Sequence, residues 1–322
     1  MDRGLNRRAA ALADAIALDA SALRAAVSRL PNGTRVIDCG IDTEGGLEAG
    51  RRLAEVCLGG LATVALTEVT LEGTPPGLWL PAVRVATDEP MIACLAAQYA
   101  GWAIERDRYF AMASGPARAL ARVERELFER LGYAERAERG ALVLETRVPP
   151  DEGVAAYVAE RCGLPGDGLT LLVAPTASVA GSVQIAARSV ETALHKLMEL
   201  GFDLEKVKSG SGVCPLAPVA SSDLRGIGWT NDAILYGARA YLTVRAADEE
   251  VEAVVERLPA SSSPDYGTPF YEIFKRYDRQ FYKIDKMLFS PAEVTINNMA
   301  TGRVWRAGQT DAGILRASLG IG

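Results

Sequence analysis

The 322-residue chain carries 35 Lys and Arg against 41 Asp and Glu, which gives a formal net charge of −6. This negative balance gives no general attraction to nucleic acid or to an anionic membrane surface. Apolar residues (49%) and charged residues (24%) occur in the proportions of a globular protein, and no apolar run approaches the ~18 residues of a membrane span. We therefore expect a cytoplasmic protein without a nucleic-acid or membrane partner, and the length favours two domains.

The cysteines are odd in number and scattered, and none of them forms a C-x-x-C pair: Cys39, Cys57, Cys94, Cys162 and Cys214. Such spacing indicates neither a disulfide framework nor a zinc site. The only histidine is His195, so a histidine-based metal site would need carboxylate partners that the spacing does not show. The sequence predicts no metal site.

The first half of the chain predicts alternating helices and strands. A 3.6-residue period predicts an amphipathic N-terminal helix that continues to residue 27. It is followed by a strand at 35–39, a helix at about 47–58, strands at 61–71 and 82–86, and a helix at about 90–99. A strand ending near Met112 then leads through the turn Ser114-Gly115-Pro116 into a long helix, because proline suits a first helical turn.

The second half continues the alternation and predicts an α/β fold of two α/β domains, at about residues 1–145 and 146–322, with a last segment that can return to the first domain. The predicted elements are a strand at 141–146, a helix ending near 162, a strand at 171–174, a short helix at 230–237, a strand at 240–245, a helix at 249–258, and a strand and hairpin from 294. Residues 201–228 are rich in Gly, Pro and Ser and predict loops with short elements.

Two loops are candidates for anion binding. Gly40, Gly45 and Gly46 lie between a strand and a helix, where backbone N–H groups can cradle an anion. Their spacing matches neither G-x-G-x-x-G nor a Walker A loop, so a tight turn is the simpler interpretation. In the second loop, Ser114 and Gly115 precede a helix that carries Arg118. This is a plausible anion or carboxylate site, although helix capping explains it nearly as well.

The segment from residue 171 to residue 200 is the most informative. It predicts a buried strand, a loop of small residues with Ser178, Gly181 and Ser182, and an amphipathic helix. On this helix a polar column of Gln184, Arg188, Glu191 and His195 lies opposite an apolar stripe. A loop between a strand and a helix is a common ligand site in α/β proteins. Periodicity alone, however, favours a solvated face with an ordinary i,i+3 ion pair.

The densest aromatic stretch begins at the loop SSSPDYG and runs from Tyr266 to Phe289. For an arbitrary protein such a run is most simply core. A planar ligand would also use these surfaces, with Arg276 and Lys283 among them.

Together, several segments resemble methenyltetrahydromethanopterin cyclohydrolases, a family of methanogenic archaea and methylotrophic bacteria. The segments follow the family's order over most of the chain: NGTRVIDCG at 32–40, LEAGRRLAEVCLGGLA at 47–62, SGPARAL at 114–120, SVAGSVQIAARSVETALHKL at 178–197, TNDAILYG at 230–237 and SSPDYGTPFYEIFKRYDRQFYKIDKMLFSPAEV at 262–294. No single segment is decisive, but the combination is specific.

The resemblance implies reversible hydrolysis of the 5,10-methenyltetrahydromethanopterin cation, usually to the N5-formyl isomer. It also implies two α/β domains facing each other across a deep cleft, a homotrimer, a tetrahydromethanopterin derivative as substrate, and no bound metal or prosthetic group. The family's catalytic Arg and Glu, three residues apart on a helix, match Arg188 and Glu191. We expect Glu191 to be the base and Arg188 to position it, while His195 is structural.

For substrate binding we expect the small-residue loops, the basic side chains and the aromatic stretch to contribute. The candidates are Ser114, Gly115, Arg118, Ser182, Gln184, Tyr266, Tyr282 and Lys283. Two other classes of function remain open: a nucleotide-dependent transferase that uses the glycine-containing loops, and a non-catalytic pterin-binding or scaffold protein of the same fold. The absence of a phosphate motif argues against the transferase, and the Arg188/Glu191 pair argues against the scaffold.

Overall fold

The computed structural model describes residues 4–72, 77–280 and 283–321. These residues form two compact units. The first comprises the described residues up to Thr63 together with Ile92–Gln184, and the second comprises Val64–Met91 together with the described residues from Ile185 onward. The chain therefore passes between the units three times, and the boundary expected near residue 145 lies inside the first unit. Hydrophobic periodicity identifies a strand but not the sheet that the strand joins.

The strands of the described part are β1 (Ala26–Arg29), β2 (Arg35–Asp38), β3 (Thr63–Leu71), β4 (Leu78–Thr87), β5 (Trp102–Arg106), β6 (Tyr109–Ser114), β7 (Gly140–Glu145), β8 (Leu169–Ala174), β9 (Val207–Pro215), β10 (Arg239–Val244), β11 (Glu293–Asn298) and β12 (Val304–Gly308). The α-helices are α1 (Leu5–Leu18), α2 (Leu47–Cys57), α3 (Arg118–Ala121), α4 (Arg125–Leu131), α5 (Glu152–Cys162), α6 (Val179–Ala186), α7 (Ser189–Glu199), α8 (Asp223–Asp232), α9 (Asp248–Val255), α10 (Phe270–Arg276) and α11 (Ala312–Leu319). Met91–Gln98 and Ala233–Gly237 are π-helical. Within the described ranges, no helix is both long and apolar enough to span a membrane.

The first unit is built on a six-stranded sheet in the order β1-β2-β8-β7-β6-β5. Its central strands β2, β8 and β7 are parallel. Alternate residues of β8 enter two different cores: Leu171 packs with Val154 and Val158 of α5, whereas Leu172 packs with Leu53 of α2. A strand buried on both faces reads as a continuous apolar run, which is why β8 is recognisable in the sequence.

The second unit is built on a mixed six-stranded sheet in the order β12-β11-β10-β9-β4-β3. Within the described residues of this sheet, β10 and β11 form a parallel pair, whereas β9 is antiparallel to both β4 and β10. Phe270 of α10 and Leu315 of α11 share a core with Leu71 of β3 and Leu80 of β4. Together, the two mixed sheets with their helices confirm the predicted α/β class.

Three predicted elements differ from the structure. The N-terminal helix ends at Leu18, and part of the expected helix is instead β1, which pairs with β2 across a turn with Gly33 at φ +89°. The long helix expected after Pro116 is divided into α3 and α4, because Arg122 has a left-handed conformation (φ +47°). The loops expected at 201–228 include β9, an internal strand held by β4 and β10. In each case tertiary pairing or a local turn overrides the sequence pattern.

Candidate active site

The predicted helix after β8 is in fact two helices. α6 ends at Ala186, and Arg188 is the N-cap residue of α7, with φ −93° and ψ 7°. Gln184 therefore belongs to α6, whereas Glu191 lies in the first turn of α7. The predicted polar column on one continuous helix is wrong, because the 3.6-residue period continues across a break that no Gly or Pro marks.

Arg188 and Glu191 form a buried ion pair. Arg188 Nη1 lies 3.4 Å from Glu191 Oε2, and the two side chains are only 9% and 5% exposed. The solvated face that periodicity favoured is therefore not what the structure shows. The amino end of α7 also favours the negative charge of Glu191, since backbone N–H groups there have no intrahelical partner. Burial and the helix terminus together hold a carboxylate and a guanidinium in one fixed arrangement.

Glycines of β9 let the amino end of α7 approach the second sheet closely. A methyl group at Gly210 would lie 2.6 Å from Val190 Cγ1, and one at Gly212 would lie 3.0 Å from Ser189 Cβ and closer still to Ser189 Oγ. Both of these contacted residues lie between Arg188 and Glu191 in the chain. The glycines of β9, which made this segment predict loops, therefore allow the helix that carries the ion pair to lie close to the sheet.

The parallel strands of the first unit end in a second polar cluster. Glu145, the last residue of β7, accepts hydrogen bonds from the Thr176 hydroxyl and, at 3.5 Å, from Gln184 Nε2. The carboxyl end of parallel strands is the usual ligand position in an open α/β sheet. Sequence analysis did not single out Glu145. The feature that could have identified Glu145 is a carboxylate directly after the apolar residues 141–144.

Hydrogen bonds of the Ser178 hydroxyl group stabilise the loop after β8. Ser178 Oγ donates to Pro175 O at 2.7 Å and accepts the N–H of Gly181 at 3.0 Å. Ser182 is buried in α6, and its N–H bonds to Ser178 O at 2.9 Å. These contacts fix the loop that leads into Gln184, and the role of Ser182 in binding stays a prediction.

In the glycine-rich loop after β2, a carboxylate accepts hydrogen bonds from the backbone N–H groups. Asp38 accepts the N–H groups of Gly40, Ile41 and Asp42 at 2.8, 2.7 and 2.8 Å. An anion at this loop would compete with Asp38 for the same donors. The geometry therefore favours the tight-turn interpretation.

At the second candidate loop the donors are likewise engaged within the first unit. The N–H of Gly115 bonds to Ala97 O at 2.8 Å. Arg118 is fully buried; its guanidinium pairs with Glu124 at 2.5 Å and also donates to Leu95 O and Ala97 O. These contacts favour a structural role, and substrate binding by Ser114, Gly115 and Arg118 stays a prediction.

The aromatic stretch contains both core and accessible side chains. Phe270 and Phe274 are buried and stack with ring centroids 5.9 Å apart. Tyr266 is half-buried beside Tyr236, 5.0 Å between centroids, and burial raises the pKa of Tyr266 to about 12. Lys283 is exposed, whereas Tyr282 lies outside the described residues. The core interpretation holds for Phe270 and Phe274, and Tyr266 and Lys283 stay binding predictions.

His195 and the cysteines show no metal-binding arrangement in the part of the chain that the structure describes. His195 Nε2 lies 3.9 Å from Glu199 Oε1, one turn further along α7. The cysteines are all free and buried, and burial raises the pKa of the Cys39 and Cys162 thiols to about 12. Among the described residues, no group of three or more His, Cys, Asp or Glu side chains could hold a metal ion.

Comparison with known proteins finds the same similarity along nearly the whole chain. A family model described as Cyclohydrolase (MCH) matches residues 4–319. Proteins named methenyltetrahydromethanopterin cyclohydrolase are similar over most of their own length. The protein of Methanocaldococcus jannaschii is 46% identical over 296 residues, 91% of each chain. The protein of Methanococcoides burtonii is 45% identical over 293 residues (91% of this chain and 90% of the relative). The protein of Methanothermobacter marburgensis is 42% identical over 320 residues (98% and 99%).

Proposed function

Because this chain belongs to the cyclohydrolase (MCH) family, we propose that it hydrolyses 5,10-methenyltetrahydromethanopterin reversibly to 5-formyltetrahydromethanopterin in one-carbon metabolism. The observation that carries this proposal is the buried Arg188–Glu191 pair at the amino end of α7. Both side chains are buried and paired with each other, an arrangement that suits a general base and its positioning group.

The reaction needs a base and a proton donor but no redox step. The substrate is an amidinium-like cation whose charge is spread over N5, the bridging carbon and N10. The oxygen of water bonds to the bridging carbon, the bond from that carbon to N10 breaks, and N10 gains a proton. One proton of the water is released and the formyl group stays on N5. The electrophile is already activated, so a carboxylate suffices as base.

We assign the two proton transfers to Glu191 and the positioning role to Arg188. Glu191 takes a proton from the attacking water and returns one to N10 as the ring opens. Arg188, at 3.4 Å, restricts the Glu191 rotamer and donates a hydrogen bond to the developing formyl oxygen. Glu191 also offsets the substrate's positive charge before water attacks.

The rest of the substrate is assigned to groups that match its chemistry. The amino group and ring N–H of a pterin are donors, and the Glu145 carboxylate, which already accepts from Thr176 and Gln184, retains acceptor capacity for them. We assign the ring face of the pterin to Tyr266 and the distal acidic groups to Lys283, because an exposed ammonium can pair with them without loss of a buried contact.

Several properties of the protein follow from the family alone and are part of the proposal. These are a homotrimer and turnover without a bound cofactor. A cytoplasmic location, which was expected from the sequence, is also part of the proposal. The runner-up function, a non-catalytic pterin-binding protein of the same fold, predicts binding of the substrate without hydrolysis.

The test is the loss of methenyltetrahydromethanopterin absorbance on addition of purified protein. Wild type should accelerate hydrolysis, and Glu191→Gln should abolish most of the acceleration, because the amide is nearly isosteric but accepts no proton. Glu199→Gln is the matched control, since Glu199 lies on the same helix and is partly exposed; it should retain wild-type turnover.

Each other outcome excludes part of the proposal. Wild-type turnover by Glu191→Gln would show that Glu191 is not the base. Tight substrate binding without hydrolysis by wild type would establish the pterin-binding alternative. Absence of both binding and hydrolysis would refute the substrate assignment.

A further inference from the structure

Lys196 is a fully buried lysine on α7, the helix that carries Glu191 in its first turn. Its Nζ donates to Pro259 O at 2.6 Å and to Ser262 Oγ at 2.7 Å. Both partners of this ammonium are uncharged oxygens, and the carboxylate whose charge acts on it, Asp285, is hydrogen-bonded to Ser263. The lysine is thus held by a carbonyl and a hydroxyl oxygen and lacks a salt bridge.

The groups around Lys196 belong to one hydrogen-bonded segment of the second unit. Ser262 Oγ, which accepts from Lys196, donates onward to Arg257 O at 2.7 Å. The adjacent Ser263 Oγ donates to Asp285 Oδ2 at 2.7 Å. The ammonium therefore ties α7 to the segment 257–263, and this segment is tied in turn to the residues around 285.

A buried ammonium that lacks a salt bridge destabilises the fold. Burial lowers the pKa of Lys196 to about 7; the positive charge of Arg257 acts in the same direction, and Asp285 acts against it. The other charged or titratable groups nearby on α7 are His195 and Glu199. A methionine would fill a similar space without this cost. Stability alone therefore does not account for a lysine at this position.

What the ammonium does provide is a fixed position for α7. Lys196 follows Glu191 by five residues, about 7.5 Å along the helix axis. A helix of this length is stiff between the two positions, so a displacement at Lys196 is transmitted to Glu191. The glycines of β9 set the distance of the amino end of α7 from the sheet, and Lys196 attaches the other half of the helix to the segment 257–263.

We propose that Lys196 is a positioning residue that sets the placement of Glu191 by fastening α7 to Pro259 and Ser262. This inference rests on the proposed hydrolysis of methenyltetrahydromethanopterin. A misplacement of about 1 Å can cost as much as 10²-fold in rate, so loss of the fastening acts on kcat more than on substrate binding.

The test compares Lys196→Met with wild type in the absorbance assay and in thermal unfolding. We expect kcat to fall about tenfold and KM to stay within about threefold, while Tm is equal to or higher than that of wild type because a buried charge has been removed. Ser262→Ala should lower kcat less. The double variant should be no slower than Lys196→Met, because both changes remove the same contact. Lys206→Met, at a partly exposed lysine paired with Glu250, is the control and should match wild type.

The proposal and its premise fail in different ways. If wild type itself does not hydrolyse the substrate, the proposed function is wrong. If wild type is active and Lys196→Met keeps kcat within twofold, with a Tm equal to or higher than that of wild type, Lys196 does not position Glu191. A lower Tm with unchanged kcat would make Lys196 a structural residue only. If Lys196→Met does not fold, the kcat of Ser262→Ala is compared with that of Ser262→Thr, which keeps the hydroxyl group. An equal kcat in these two variants overturns the proposal.

Discussion

Gly210→Ala is expected to slow turnover by pushing α7 away from β9. The added methyl group would lie 2.6 Å from Val190 Cγ1 and 3.4 Å from Leu242 Cδ2. Carbon atoms in favourable contact are about 3.5–4.0 Å apart, so the helix and the strand must separate by roughly 1 Å at this point. Since Val190 precedes Glu191 directly, the displacement acts on the proposed base.

The magnitude follows from the size of this displacement. Inserting a methyl group into a packed core typically costs about 1–3 kcal/mol of unfolding free energy. A shift of about 1 Å at a catalytic group can reduce the rate as much as 10²-fold. Because sheet and helix share the movement, we expect kcat to fall between about tenfold and 100-fold, with a smaller change in KM.

Steady-state absorbance assays and urea unfolding measure the two effects separately. Gly153→Ala in α5 is the matched control, because its methyl group would lie 3.4 Å from Asp151 Oδ1, an ordinary contact. It should keep wild-type turnover and gain about 0.5–1 kcal/mol, since alanine is the better helix former. If Gly210→Ala lost stability as expected but kept wild-type kcat, the close seating of α7 on β9 would have no bearing on the reaction.

Two further predictions concern the carboxylates of Asp232, which is buried, and Glu145, which is half-buried. Burial raises the pKa of Asp232 to about 7, against hydrogen bonds from Ser318 and the Phe270 N–H. Between pH ~4 and ~7 the native state therefore holds a proton that the unfolded state has lost, so the unfolding free energy of wild type falls across that window relative to Asp232→Asn, by about 4 kcal/mol. If urea unfolding gave the same difference in unfolding free energy between wild type and Asp232→Asn at pH 5 and at pH 8, this reasoning would be wrong. Glu145→Gln should raise KM about tenfold with kcat within about threefold, because it weakens ground-state binding; an unchanged KM would remove Glu145 from the substrate site.

The strand–loop–helix around the site was predictable because its signals are local. The run of β8 is apolar on both faces, and Arg188 and Glu191 need only three residues of sequence separation to meet. Their burial was not predictable in the same way, because periodicity placed them opposite the apolar stripe. The break between α6 and α7 and the close approach of β9 depend on contacts with residues far away in the chain.

β9 and Glu145 show two different limits of sequence analysis. Gly and Ser are depleted in strands, so the segment around Gly210 predicts loops, although pairing with β4 and β10 makes it an internal strand. Glu145 ends a recognisable strand, but only the parallel arrangement of β7 and β8 brings it to Thr176. A carboxylate at a strand end becomes a site candidate only when the neighbouring strand is known.

The burial of Arg188 and Glu191 allows their catalytic role to be separated from their contribution to stability. Removing one partner of a buried ion pair leaves the other charge uncompensated and typically costs about 3–5 kcal/mol. Glu191→Gln and Arg188→Gln should therefore each lower the unfolding free energy, and the double variant, which has no buried charge at either position, should recover most of it. If the pair acts in the reaction, the double variant stays inactive despite this recovery. A double variant that regained turnover together with stability would show that the single variants fail through misfolding, and that the pair supports the fold and not the chemistry.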